Sequence, residues 1–131
     1  MGRCVVIFDS TFFVALHREL QRGTTGPAQA FLARHTDTVC GMSEITRGEL
    51  ARGFASKVAW TEFCDRFAVY PFNDAVAWRA AEIFHDLRKR GVMTGENDLW
   101  IAATALESGG ALVTRNVKHF REIRGLKVLI H

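Results

Sequence analysis

Cys4-Val-Val-Ile-Phe8 is an unbroken apolar run that stops on Asp9. A strand wetted on one face alternates polar and apolar residues. A run that is apolar at every position belongs to a strand covered on both faces, as in a parallel sheet packed between helices. The rest of the chain supplies those helices. Ser10 stands where an N-cap is wanted for a helix through about Leu20, and Pro27 suits the first turn of a short helix, Pro27–Arg34. Thr38–Gly41 reads as a strand. Ser43 then caps a helix through Ala55, and Lys57–Phe67 reads as another. Ala68–Phe72 is the next strand. Asn73 caps the longest helix, which runs to Arg90 and stops at Gly91, with Ala80, Ile83 and Leu87 on one face. Asn97 opens a helix over Asp98–Glu107, closed by Gly109-Gly110. Ala111–Thr114 is a strand, Val117–Phe120 a helical turn, and Lys127–Ile130 the last strand. Strand and helix alternate from end to end. The pattern predicts a three-layer α/β fold, with a mainly parallel central sheet of about five strands flanked by helices and right-handed crossovers. No linker or repeat interrupts it, so residues 1–131 are expected to form a single domain.

Composition removes several classes. Hydrophobic residues at 48% and charged residues at 24% exclude a disordered chain. No apolar stretch approaches the ~18 residues that span a bilayer. Val5–Phe8 is too short for a signal peptide, and Val6 stands where the myristoylation pattern opened by Met1-Gly2 wants Ser or Thr. The expected location is cytoplasmic, with no membrane partner. Cys4, Cys40 and Cys64 are odd in number and form no C-x-x-C pair, which leaves zinc and dithiol chemistry without a scaffold; buried, reduced thiols are expected. A net charge of +3 permits a polyanionic partner without requiring one.

In a parallel α/β sheet, ligands bind beyond the carboxyl ends of the strands. Asp9 follows the first strand, and Asn116 follows Thr114-Arg115 at the end of a later one. Asp98 opens a helix, and Glu49 lies one to two turns into the helix after the second strand. Carboxylates brought together repel and raise one another's pKa unless a cation lies between them. Mg²⁺ suits such a place, because it prefers oxygen ligands and keeps several waters; Mn²⁺ suits it as well. A divalent ion there makes a better nucleophile of its water and neutralises charge on a phosphodiester.

Four segments carry a resemblance: Ile7-Phe-Asp-Ser-Thr11, Ile45-Thr-Arg-Gly-Glu-Leu-Ala-Arg-Gly53, Asn97-Asp-Leu-Trp-Ile-Ala-Ala-Thr-Ala105 and Val113-Thr-Arg-Asn-Val-Lys-His-Phe120. In order and spacing they resemble the four motifs of PIN domains, specifically the VapC-type toxin ribonucleases of bacterial toxin–antitoxin pairs. The resemblance covers nearly the whole chain, including Arg124–Leu129. It implies a metal-dependent endoribonuclease that hydrolyses RNA, with Mg²⁺ or Mn²⁺ held by Asp9, Glu49 and Asp98. It also implies a homodimer and a cognate VapB-type antitoxin that blocks the site with a C-terminal segment. The fourth position, often acidic in the wider group, is Asn116 here; a neutral amide there is expected to orient water or a carboxylate, which puts a permanently filled second metal site in doubt.

Each of these residues has a plainer use. Asp9 is placed to cap the helix that follows, although Ser10 serves equally. Glu49 alone would be a solvated helix residue, and Asp98 a first-turn acid complementing the helix dipole, with Asn97 available as cap. Asn116 reads as a turn residue. Ser10 and Thr114 either hydrogen-bond the acids or satisfy backbone groups. Arg115 and Lys118 suit phosphate contacts or stand free as surface bases. Glu44 and Glu96 read as solvated surface. His119 invites a general-base role that a metal-bound hydroxide does not need. Trp60, Trp78 and Trp100 read as core or dimer contacts. Two other strand-end aspartate enzymes and switches fit less well. Aspartyl phosphatases want a second Asp where Thr11 stands, and receiver domains want an early acidic doublet that is absent.

Overall fold

The computed structural model describes residues 4–131. Met1-Gly2 lies outside them. The elements are β1 (Cys4–Phe8), α1 (Ser10–Arg22), α2 (Pro27–Arg34), β2 (Thr38–Ser43), α3 (Glu44–Ala51) and α4 (Lys57–Cys64). They continue with β3 (Ala68–Tyr70), α5 (Asp74–Lys89), α6 (Glu96–Ser108), β4 (Ala111–Val113), α7 (Val117–Phe120) and β5 (Val128–Leu129). All strand pairings are parallel, in the order β3-β2-β1-β4-β5.

The apolar run that opens the chain becomes the central strand, and its two faces feed two cores. Val6 and Phe8 join Phe12, Phe13, Phe31, Met42 and Phe63 on one side of the sheet. Ile7 points the other way, into a core with Leu112, Ile101, Ile83 and Phe120. β4 divides in the same manner, with Ala111 and Val113 on the first side and Leu112 on the second. Both faces of the sheet are covered, as the absence of polar alternation requires. Phe8 stacks on Phe12 at 3.8 Å and meets Phe13 and Phe31 edge-on at 5.7 and 5.6 Å, so the strand and the helix it enters share one aromatic cluster.

From β1 the chain steps outward to β2 and β3, then returns across the sheet to β4 and β5. The direction of winding therefore reverses between β1 and β4. That switch point opens a crevice beyond the carboxyl ends of the two strands, where Asp9 and Thr114 sit.

Several boundaries differ from the sequence expectation for local reasons. Ser43 ends β2 and caps α3 at once, its Oγ accepting the Thr46 N–H at 3.0 Å. α3 stops at Ala51, and Ser56 starts a separate helix by accepting the Ala59 N–H at 3.1 Å. The N-cap position of α1 is Asp9 rather than Ser10, and it makes no side-chain cap bond. α6 begins two residues early, with Gly95 in the cap position, so Asn97 lies inside the first turn and caps nothing. Cys64 is buried and Cys40 half-buried, but Cys4 is exposed, because the first residue of β1 lies at the rim of the sheet.

One buried carboxylate serves the scaffold. Glu19 near the end of α1 accepts the backbone N–H groups of Gly26, Ala28 and Gln29 at 3.0, 2.9 and 3.1 Å, and so ties α1 to the start of α2. Burial raises its pKa, but the hydrogen bonds from Ala28, Gln29 and Gly26 outweigh that, and the net shift is downward. Gly26 has no room for a side chain, since a Cβ there would lie 2.6 Å from Glu19 Cδ. Among the described residues no helix is long and apolar enough to cross a membrane.

Candidate functional site

Asp9 is nearly fully buried at the carboxyl end of the central strand. Its two oxygens are each held by a hydroxyl. Thr11 Oγ1 donates to Oδ1 and Thr114 Oγ1 donates to Oδ2, both at 2.5 Å. Thr114 is itself fixed, because its Oγ1 accepts the Asn116 N–H at 2.9 Å. The Asp9 N–H bonds Val113 O at 3.2 Å, so the ends of β1 and β4 are stitched through both main chain and side chain.

Glu49 reaches the same crevice from α3. One oxygen, Oε2, accepts from Asn97 Nδ2 at 3.2 Å. The other, Oε1, is buried without any hydrogen-bond partner. Burial pushes the Glu49 pKa up from its ordinary 4.5, and the negative charges of Asp98 and Asp9 push it further. Asn97 and the Arg52 charge act in the opposite direction, but the net shift is upward. The mutual repulsion places the three acids in one electrostatic neighbourhood. Asp98, half-buried in the first turn of α6, has Oδ2 2.9 Å from His119 Nδ1 of α7. Each carboxylate is thus steered by a neighbour from another element or another turn.

Asp9 and Asp98 lie near enough to Glu49 for their charges to act on it. No three His, Cys, Asp or Glu side chains among the described residues form a ready-made ligand cage. The chemistry of the donors nonetheless fits a hard divalent ion. All are oxygens, one of them is buried and unpaired, and the charge is in excess. Mg²⁺ needs only one or two protein carboxylates and completes its shell with water and substrate phosphate.

The other expected residues divide. Ser10 lines the crevice beside Glu49. Asn116 is exposed at the start of α7, and its side chain makes no cap bond. Arg115 and Lys118 are exposed near the acids, and Lys118 lines a hollow with Asp98 and His119. Glu44 accepts the Phe72 N–H at 3.0 Å and so anchors a loop away from the acids. Trp60 packs on the first core, with Arg47 over its ring at 4.0 Å; Trp78 is exposed on α5. Asn97, His119 and Thr11 were not assigned to the acids from sequence. The signal available was adjacency to Asp98, Asn116 and Asp9, and it did not reveal which side chain each would meet.

The PIN domain family model matches residues 6–126. Ribonuclease VapC1 of Haemophilus influenzae (strain R2866) is 32% identical over 93 residues, covering 66% of this chain and 69% of that protein. Ribonuclease VapC1 of Rickettsia felis is 43% identical over 63 residues, so that the chain spans about half (47%) of that relative's length. Among solved structures, VapBC-1 from nontypeable Haemophilus influenzae superposes with a TM-score of 0.73 at 26% identity, over 96% of this chain and 97% of that one. VapBC2 from Rickettsia felis bound to a promoter DNA fragment gives a TM-score of 0.79 at 22% identity, over 96% and 98%, a likeness of fold.

Proposed function

The chain belongs to the PIN-domain family, and from that premise we propose that it is a divalent-metal-dependent endoribonuclease, the toxin of a toxin–antitoxin pair. In this reading residues 1–131 act as one domain, a VapB-type antitoxin is the cognate partner, and the active form is a homodimer. Asp9, Glu49 and Asp98 hold the metal, Mg²⁺ or Mn²⁺. The observation that carries the assignment is Glu49 Oε1, a buried carboxylate oxygen with no hydrogen-bond donor, in a side chain close enough to Asp98 and Asp9 to feel their negative charges. A folded chain keeps such an arrangement when a cation relieves it.

When bound, a divalent ion supplies a water of lowered pKa and screens the scissile phosphate. The chain's own residues set the geometry. Thr11 and Thr114 occupy both Asp9 oxygens and stop the carboxylate from rotating. Asn97 donates to Glu49 Oε2, while Oε1 stays buried without a hydrogen-bond partner. His119 holds Asp98 Oδ2 and leaves Oδ1 free. Asn116, exposed at the start of α7, is proposed to orient a water at the mouth of the site. Arg115 offers phosphate a charge beside it. These contacts fix the acids before substrate arrives, so little reorganisation remains for the reaction itself.

The test is cleavage of structured RNA by the purified chain with Mg²⁺, repeated with EDTA and with Asp9→Asn. Cleavage that depends on both the metal and the carboxylate is expected. Cleavage that survives EDTA or the substitution overturns the mechanism. The open spacing of the acids favours a second reading, an RNA- or protein-binding module without cleavage. That reading requires no cleavage of any RNA despite intact metal binding.

A further inference from the structure

Two hollows flank the acids. One contains Asp98, Lys118 and His119. The other, about 480 Å³, runs from Ser10 and Glu49 between α1 and the α3–α4 segment. Its floor is aromatic. Phe13 and Phe63 are buried there, and the half-buried His17 ring lies 4.7 Å from Phe54 and 5.3 Å from Phe63. Its rim is cationic and polar, with Arg18, Gln21 and Arg52 exposed. Arg52 is close enough to Glu49 to lower its pKa, so the cationic rim reaches the acids themselves.

We propose that this groove is a nucleotide subsite, in which the base next to the scissile phosphate packs on the His17–Phe54 pair while Arg18 and Arg52 take the adjoining phosphate. The inference rests on the ribonuclease reading and deepens it. An apolar floor alone would suit many occupants. Charge complementarity selects this one, since a chain of phosphates matches two arginines beside the proposed metal-binding acids, and a base matches the face of one of the two tilted aromatic rings. The volume falls within the ~300–1,000 Å³ usual for small-molecule sites, enough for one nucleotide. Gln21 supplies an amide that can donate to or accept from a base edge. The groove begins at Glu49, so an occupant there is adjacent to the reacting phosphate, and base preference at that position becomes part of cleavage-site choice.

The experiment compares the intact chain with His17→Ala and Gln21→Ala on two substrates. One is a randomised single-stranded RNA pool with cleavage sites mapped by sequencing. The other is bis-p-nitrophenyl phosphate, a diester too small to reach the groove and the acids together. Matched thermal melts confirm folding, and Phe54→Leu preserves the apolar volume while removing the ring. The intact chain is expected to show a base preference at one position beside the cut. His17→Ala and Phe54→Leu should lower kcat/KM on RNA about tenfold, Gln21→Ala should flatten the preference, and hydrolysis of the small diester should stay unchanged in all three. Unchanged RNA cleavage and preference in the variants overturns the subsite and leaves the nuclease standing. So does an equal loss on both substrates, or variants that cut RNA normally but bind the antitoxin's C-terminal peptide more weakly, which would make the groove a protein surface. An intact chain that cleaves neither substrate removes the nuclease reading and the subsite with it.

Discussion

Thr114 contributes one hydroxyl, and that hydroxyl does two things: it donates to Asp9 and accepts from the Asn116 N–H. Thr114→Val keeps the shape and deletes both bonds. Orienting partners of metal ligands typically matter ~10–100-fold in affinity or activity, so a loss of that size is expected in the Mg²⁺ titration of cleavage. A denaturant melt should show a cost of about 1–2 kcal/mol from the unsatisfied groups left behind. Glu49 behaves in the opposite sense. Its folded pKa lies above the ordinary 4.5, chiefly through burial and then through Asp98 and Asp9. The folded metal-free chain therefore holds this proton more tightly than the unfolded chain. That contribution to stability is complete below the unfolded pKa and is lost as pH rises through the folded one. Melting in EDTA should show Glu49→Gln flattening this part of the decline, with a higher Tm than the parent at neutral pH. With Mg²⁺ present the order reverses, because the parent alone gains stability from the ion.

At the scale of elements, the link between α1 and α2 depends on Glu19. Its folded pKa is depressed by three backbone donors despite burial. Its contribution is thus present above the unfolded pKa near 4.5 and is lost as pH falls through the folded value. Glu19→Ala should cost about 2–3 kcal/mol at neutral pH, and progressively less on acidification, in urea titrations at several pH values. This clamp was not legible in the sequence. Glu19 looks like a surface acid on a helix, and only the path of the turn through Gly26 brings the amides to it. What could be read locally was read well. The double-faced apolar strands, the Ser43 and Asn73 caps and the Gly109 stop depend on neighbours within a turn or two. The pairing of Asn97 with Glu49 spans 48 residues, and the crossing of α3 and α6 decides it. For that reason Asn97 reads locally as a cap, and His119 as an unneeded base rather than the partner of Asp98.

Across the whole molecule, the crevice depends on how closely β4 lies against β1. Gly110 sits at that approach, and a Cβ there would collide with the Val5 carbonyl. Gly110→Ala should therefore force the two strands apart, costing about 3 kcal/mol or more in urea unfolding, and it should impair cleavage because Thr114 moves away from Asp9. The positions of Asp9 and Asn116 at strand ends could be foreseen from the alternating pattern, since the topology of parallel sheets gathers such ends. The closeness of Glu49 to Asp9 is less directly legible, because a helix residue's direction is set by packing.

The bond between Asp9 and Thr114 has a consequence for the timing of synthesis. The two residues lie 105 positions apart, and β4 must be seated before the hydroxyl can reach the carboxylate. A ribosome that has translated only the first hundred codons has made the opening acid but not the group that locks it. Products of premature termination upstream of Thr114 lack the hydroxyl that locks Asp9 and, on the proposed nuclease function, should not cleave RNA.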